Sequence, residues 1–289
     1  MSPNTQATVR SLQGLYPARA TSDGDGVRIQ RVSMPGQFGA LDPFLMLDEI
    51  ASDEAADYIG GFPEHPHRGF ETVTLMLEGR MRHRDHMGNE GVIEPGGVQW
   101  MSAARGILHS EMPEQQSGRL HGFQLWINLP AAHKMNAPQY REFTASDIPL
   151  WQSDVNARAR VIAGSVGDVH GPVQGVATQP LALDITLEGS GQLEVPVSPS
   201  ATVIAYVYAG SVDLPAAGGL RNVEQQQLAR LHKGSRVVLR GGSEGSNRVL
   251  LLAAEPLNEP VAHYGPFVMN TPEEIEQAIA DYRSGALAS

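Results

Sequence analysis

Four residues in the first half of the chain carry ligand-type side chains at a spacing that strands can turn into a site. Histidine stands at positions 65 and 67, and histidine and glutamate stand at 109 and 111. Along an extended strand, side chains alternate faces, so residues two apart point the same way. His65 with His67, and His109 with Glu111, can each aim two donor atoms at one point, and facing strands would merge the pairs. Three imidazoles and a carboxylate suit a first-row transition metal with coordination positions left open. Glu71 competes for the oxygen position, because it shares parity with His65 and His67 on an unbroken strand. There it would be the carboxylate ligand in place of Glu111, or a hydrogen-bond partner orienting an imidazole. His83 and His86 are three apart and form no same-face pair, so both read as surface residues. His121, His133, His170, His232 and His263 lack a near partner and read the same way.

The elements around these pairs read as short strands between turns. Thr72 to Leu77 is β-branched and apolar and turns at Glu78-Gly79; Arg80 to His86 alternates and turns at Gly88 to Gly91. Pro95-Gly96-Gly97 turns into Val98 to Ser102, and Leu120 to Leu129 carries the alternation on to Pro130. That rhythm predicts a small β-barrel or jelly roll. Upstream, Val27 to Val32 reads as a strand, Phe44 to Ile50 as a buried strand or, being a short apolar run, a helix, and Met1 to Ala20 as a polar segment with a frayed start. Ala131 to Ala159, with Pro138 and Pro149, has weak periodicity and marks a domain boundary. The expected division is therefore 1–133, holding the metal, and 134–289.

In the second part, strands are expected at 160–163, 181–187, 202–207, 227–231, 236–239 and 248–253. A helix follows over 271–282, with Thr271 as N-cap, Pro272 at its first position and Glu274 closing a capping box. Leu75 to Gly79 superposes on Tyr206 to Gly210, which puts Pro196 and Ser198 where His65 and His67 stand. Pro95 to Val98 echoes Lys233 to Arg236. The second half thus reads as a duplicate without ligands.

Arg68-Gly69 and Arg105-Gly106 adjoin the two pairs. The glycines read as tight turns, and the arginines as candidates to hold ligand carboxylates or line the mouth. Phe62, Phe70, Met76, Trp100, Phe123 and Trp126 could wall a cavity for a flat apolar substrate, with most of them plain core. The 289 residues carry a net charge of -11 with scattered Lys and Arg, which argues against a direct grip on nucleic acid. No cysteine is present, so thiolate ligands and disulfides are excluded. No stretch resembles a signal peptide or membrane span, and a cytoplasmic protein is expected.

The runs Gly61-Phe62-Pro63-Glu64-His65-Pro66-His67-Arg68-Gly69-Phe70-Glu71-Thr72 and Gln99 through Pro113 resemble the signatures of the pirin family, bicupins of the cupin superfamily. Tyr264 to Thr271, followed by a helix, is similar as well. The resemblance covers about residues 10–283. It implies an all-β fold of two stacked cupin-type barrels with a short C-terminal helix. It also implies one mononuclear metal, usually iron, held by His65, His67, His109 and Glu111 in the N-terminal barrel. Fe(II) is expected, with Ni, Co, Cu, Mn or Zn as alternatives, and Glu71 is left to orient a ligand. The implied activity is that of a quercetin 2,3-dioxygenase, which opens a flavonol with O2 and releases carbon monoxide. Glu111 would be the catalytic base. The alternative role is metal- and redox-dependent regulatory binding to a protein partner, a transcription factor or metabolic enzyme.

Overall fold

The computed structural model describes residues 8–32, 38–242 and 244–288 of the chain. Two compact units emerge: Arg19–Asp147 with Leu257–Ser289, and Met1–Ala18 with Ile148–Pro256. Each unit combines a seven-stranded with a four-stranded antiparallel sheet, the all-β plan that the turn spacing predicts.

In the first unit the long sheet runs Gln139–Phe143, Val98–Ser102, Phe70–Glu78, Leu120–Asn128, Phe44–Ser52, Val27–Val32 and Arg19–Asp23. The short sheet runs Phe62–His67, Ile107–Pro113, Met81–Asp85 and Glu90–Ile93. Alternation decides which residues face the interior. Val27, Ile29, Ile50, Met76, Met81 and Ile93 are all buried in one cluster, and burying each such side chain contributes about 1.5–3 kcal/mol. Leu12–Pro17 and Arg19–Asp23 are strands, where the sequence reading had a polar segment. Its frayed start lies largely outside the described residues.

The second unit repeats the plan. Its long sheet centres on Thr202–Ala209, Ser246–Ala254 and Leu181–Glu188, and its short sheet runs Gln192–Pro196, Arg236–Gly241, Ser211–Ala216 and Gly219–Glu224. Strand for strand, Gln192–Pro196 takes the place of Phe62–His67, in keeping with the superposition of Pro196 on His65. The other proposed match shifts by one turn. Gln227–Leu231 takes the place of Val98–Ser102, so Lys233-Gly234 corresponds to the turn before His109, not to Pro95-Gly96-Gly97.

The unit boundaries differ from a single break at 133/134, for a reason visible in the strand pairing. Leu12–Pro17 pairs with Gln227–Leu231 in the second unit's long sheet. Gln139–Phe143 pairs with Val98–Ser102 in the first. The last residues, helix included, belong to the first unit. The helix spans Pro272–Ser284 and is closed by the expected capping box: Glu274 N–H donates to Thr271 Oγ1, and Thr271 N–H donates back to Glu274 Oε2.

This C-terminal segment fixes the turn that follows the first histidine pair. Arg68, almost fully buried, donates from Nη1 to Asp281 Oδ2 at 2.7 Å and from Nε to the Arg105 carbonyl. It therefore holds neither a ligand carboxylate nor the cavity mouth, while Arg105 is exposed. Gly69 has φ +90°, and a Cβ there would meet Val268 O at 1.9 Å; only glycine fits. Lys134 Nζ is buried and donates to Gly69 O, Asn128 Oδ1 and Val268 O at 2.6, 2.6 and 2.9 Å. Lys134→Met strands three buried acceptors, so urea denaturation should show a loss of about 2–4 kcal/mol, well beyond an exposed Lys→Met change.

Candidate metal centre

Strand pairing brings the two ligand pairs together. Ile107–Pro113 lies between Phe62–His67 and Met81–Asp85, with His109 directly opposite His65 and also opposite Asp85. A bulge between His109 and Glu111 then sets Glu111 opposite Phe62. The ring centroids of His65, His67 and His109 lie 4.4 to 4.9 Å apart. Among the described residues, these three form the group whose ligand atoms all lie within 4.8 Å of one another. Glu111 is not part of that group. Its Oε1 accepts from Thr74 Oγ1 at 2.9 Å and its Oε2 from Gln124 Nε2 at 2.6 Å.

The cluster suits a cation. His65 Nδ1 lies 2.8 Å from the Pro63 carbonyl; as that bond's donor, it leaves a lone pair on Nε2, which lies 3.0 Å from His67 Nε2. His109 Nε2 is buried and finds no hydrogen-bond partner. Burial, reinforced by the neighbouring imidazoles, holds His67 and His109 well below the ordinary histidine range. Both are therefore neutral at physiological pH, the form in which imidazole is a ligand. An unpartnered nitrogen buried among two further imidazoles is costly by itself and fits a metal ion at their centre.

Glu71 is elsewhere. The strand Phe62–His67 ends before the Gly69 turn and a new one begins at Phe70, so parity does not carry across. Glu71 pairs with Ser102, and its buried Oε2 has no partner. Burial pushes its carboxyl up to about 7, with Trp100, Arg141 and Ser102 offsetting only part of the cost.

A cavity of about 660 Å³ opens beside the cluster, lined by His65, His67, Phe62, Trp126, Gln124 and Leu45 among others. Of the six aromatic or sulfur side chains expected as walls, Phe62 and Trp126 serve. Phe70 backs Trp126 and His67 at 4.3 and 4.9 Å, while Met76, Trp100 and Phe123 are buried core. Phe38 and His263, stacked with centroids 3.7 Å apart, also line the cavity.

Two histidines read as surface residues are interior. His121 is buried and its Nε2 lies 2.8 Å from Glu49 Oε1. His83 is wholly buried beside His109, with Nε2 3.3 Å from Asp85 Oδ2. The available signal was His83-x-Asp85, a same-face pair like the others; comparing His83 with His86 hid it. Gln124, which orients Glu111, was recoverable only as a polar residue in the apolar run Leu120 to Leu129.

Three clustered imidazoles beside a cavity, in a unit of two antiparallel sheets, have the layout of a cupin with a candidate metal site. The family described as Pirin matches residues 26–127, and the Pirin C-terminal cupin domain matches 182–288. A Pirin-like protein of Caulobacter vibrioides is 46% identical over 96% of this chain and 99% of its own length. A Pseudomonas aeruginosa protein, provisionally named a quercetin 2,3-dioxygenase, is 48% identical over 96% of this chain and 98% of its own. The crystal structure of quercetin 2,3-dioxygenase from Acinetobacter baumannii superposes with a TM-score of 0.87 at 33% identity, covering 97% of this chain and 99% of that one. This chain belongs to the pirin family, and its two units are cupin domains. No helix among the described residues is long and apolar enough to cross a membrane.

Glu71 yields a pH test. A carboxyl raised to about 7 in the fold lends stability that is fully present below its unfolded pKa and is lost as pH rises through 7. Glutamine does not titrate. The stability of Glu71→Gln relative to wild type should therefore increase between pH 5 and pH 8, by on the order of 3 kcal/mol, in urea titrations at the two pH values.

Proposed function

We propose that this chain is a mononuclear metal-dependent dioxygenase of the quercetinase type, acting in the cytoplasm, where a cysteine-free chain is at home. Its reaction would be the O2-dependent ring opening of a flavonol with release of carbon monoxide. The observation that carries the reading is the cavity of about 660 Å³ that meets His65 and His67 and is walled by Phe62 and Trp126. It is a slot of the size and apolar character that a flat polyphenol needs, with metal-type ligands in its lining. The names of the Pseudomonas relative and the Acinetobacter structure support the same chemistry.

His65, His67 and His109 would hold the metal, with Glu111 as fourth ligand, one ion per chain. When bound, a divalent ion, Fe(II) in our reading or Ni, Co, Cu, Mn or Zn, would supply Lewis acidity toward an electron-rich flavonol anion and, where the ion is redox-active, an electron path to O2. The protein does the rest. Phe62 and Trp126 give the ring system apolar contact and keep water from the reacting edge. Glu111 takes the proton of the 3-hydroxyl onto a carboxylate oxygen, while Thr74 and Gln124 fix the orientation of that carboxylate.

The test uses protein of known metal content. Elemental analysis should find one tightly held metal, and quercetin and O2 should be consumed together with release of carbon monoxide. His109→Ala should abolish turnover and metal retention while circular dichroism stays native. Glu111→Gln, reloaded with excess metal, should slow turnover about 10²–10⁴-fold. After dialysis it should also retain less metal than Glu71→Gln does. Fully loaded protein that releases no carbon monoxide from several flavonols would end the dioxygenase reading and direct attention to protein partners of the metal-loaded form.

A further inference from the structure

His83 and Asp85 lie on the strand next to His109 and have no role in the reading above. Both side chains are completely buried. His83 Nε2 is 3.3 Å from Asp85 Oδ2, and His83 Nδ1 is 3.5 Å from His109 Nδ1. Asp85 is itself fixed, since its Oδ1 accepts from the backbone N–H groups of Met87 and Asn89 at 3.0 Å each. The ring of Tyr140 covers the imidazole of His83 at 4.8 Å, so the side chain has little freedom to turn away.

With His83 neutral, these distances permit one consistent assignment of hydrogens. A carboxylate only accepts, so His83 donates to Asp85 from Nε2. A neutral His83 then has a lone pair on Nδ1, which accepts from His109 Nδ1–H. That leaves His109 Nε2 without a hydrogen, and this is the buried nitrogen with no partner. Each link sets the next, and the chain ends with a lone pair on the unpartnered nitrogen of His109, whose ring lies 4.4 and 4.9 Å from those of His65 and His67.

We propose that Asp85 and His83 form a positioning relay that selects the Nδ1–H tautomer of His109 and presents its Nε2 to the metal. The relay rests on the three-imidazole reading of the site but not on the dioxygenase reading. Neither residue belongs to the three-imidazole group or lines the cavity beside it. Their contribution is to remove a choice: an unassisted imidazole would divide between two tautomers, one with its hydrogen in the position where the metal must bind. The Asp85 charge, passed through His83, also makes His109 a better donor.

The experiment combines nickel(II) competition against a chelator with 15N NMR of the histidines in full-length, metal-stripped protein. His83→Phe keeps a ring in place and removes the acceptor. It should weaken nickel(II) binding about 10–100-fold, the usual cost of losing such a partner, and His109 should lose its Nδ1–H preference. His83→Gln places a carbonyl within reach and should recover most of the affinity. Asp85→Asn can present an amide N–H to His83, turning the relay round, and should shift the His109 tautomer without removing the imidazole. It decides the matter if His83→Phe does not fold. Nickel(II) affinity of His83→Phe within twofold of wild type, or an unchanged His109 tautomer in His83→Phe or Asp85→Asn, overturns the relay. His109→Ala that holds nickel(II) like wild type would instead sink the three-imidazole site, a separate failure.

Discussion

One antiparallel pairing governs the rest of the first unit. Ile107–Pro113 is hydrogen-bonded on one side to Phe62–His67 and on the other to Met81–Asp85. That arrangement alone puts His109 opposite His65 and next to the His83–Asp85 pair. Side chains alternate strictly along a strand, so a slip of one residue would turn His109 and Glu111 away together. The apolar alternation of Met81 and Ile93 into the core makes such a slip costly. Core packing thus sets the register, and the register assembles the site.

Much of this was legible in the chain, and the exceptions have physical causes. The i, i+2 spacing of His65/His67 and His109/Glu111 was enough to expect facing pairs, because strand geometry leaves few alternatives. The helix start was equally plain, since Thr271, Pro272 and Glu274 each answer a need of unpaired backbone groups. Glu71 misled because parity presumes an unbroken strand, and the Gly69 turn breaks it. His83 was missed because burial depends on which strands lie on either side, something spacing within one strand does not encode. The contacts of Lys134 lie up to 134 positions away and leave no local trace.

The second unit follows the same plan with no comparable histidine group among its described residues. Leu183, Ile185, Val203, Val207, Val249 and Leu251 are all fully buried in its core. Its strand order matches that of the first unit. In the first unit, polar groups have replaced part of that apolar filling: the three histidines, His83, Thr74 and Glu111. Each of them needs a partner, and the partner list is a map of the site.

The attachment of residues 257–288 to the first unit has a consequence for how the protein is made. Lys134 and the Gly69 turn grip Val268, and Arg68 grips Asp281. A ribosome emits the histidine pairs long before it emits these anchors. While synthesis continues, the turn after His67 lacks its backing, and the second unit can complete its own sheets first. The turn beside the first histidine pair is thus closed by a segment that follows the whole second unit in the chain, so the earliest-encoded part of the site depends on residues encoded after everything else it touches.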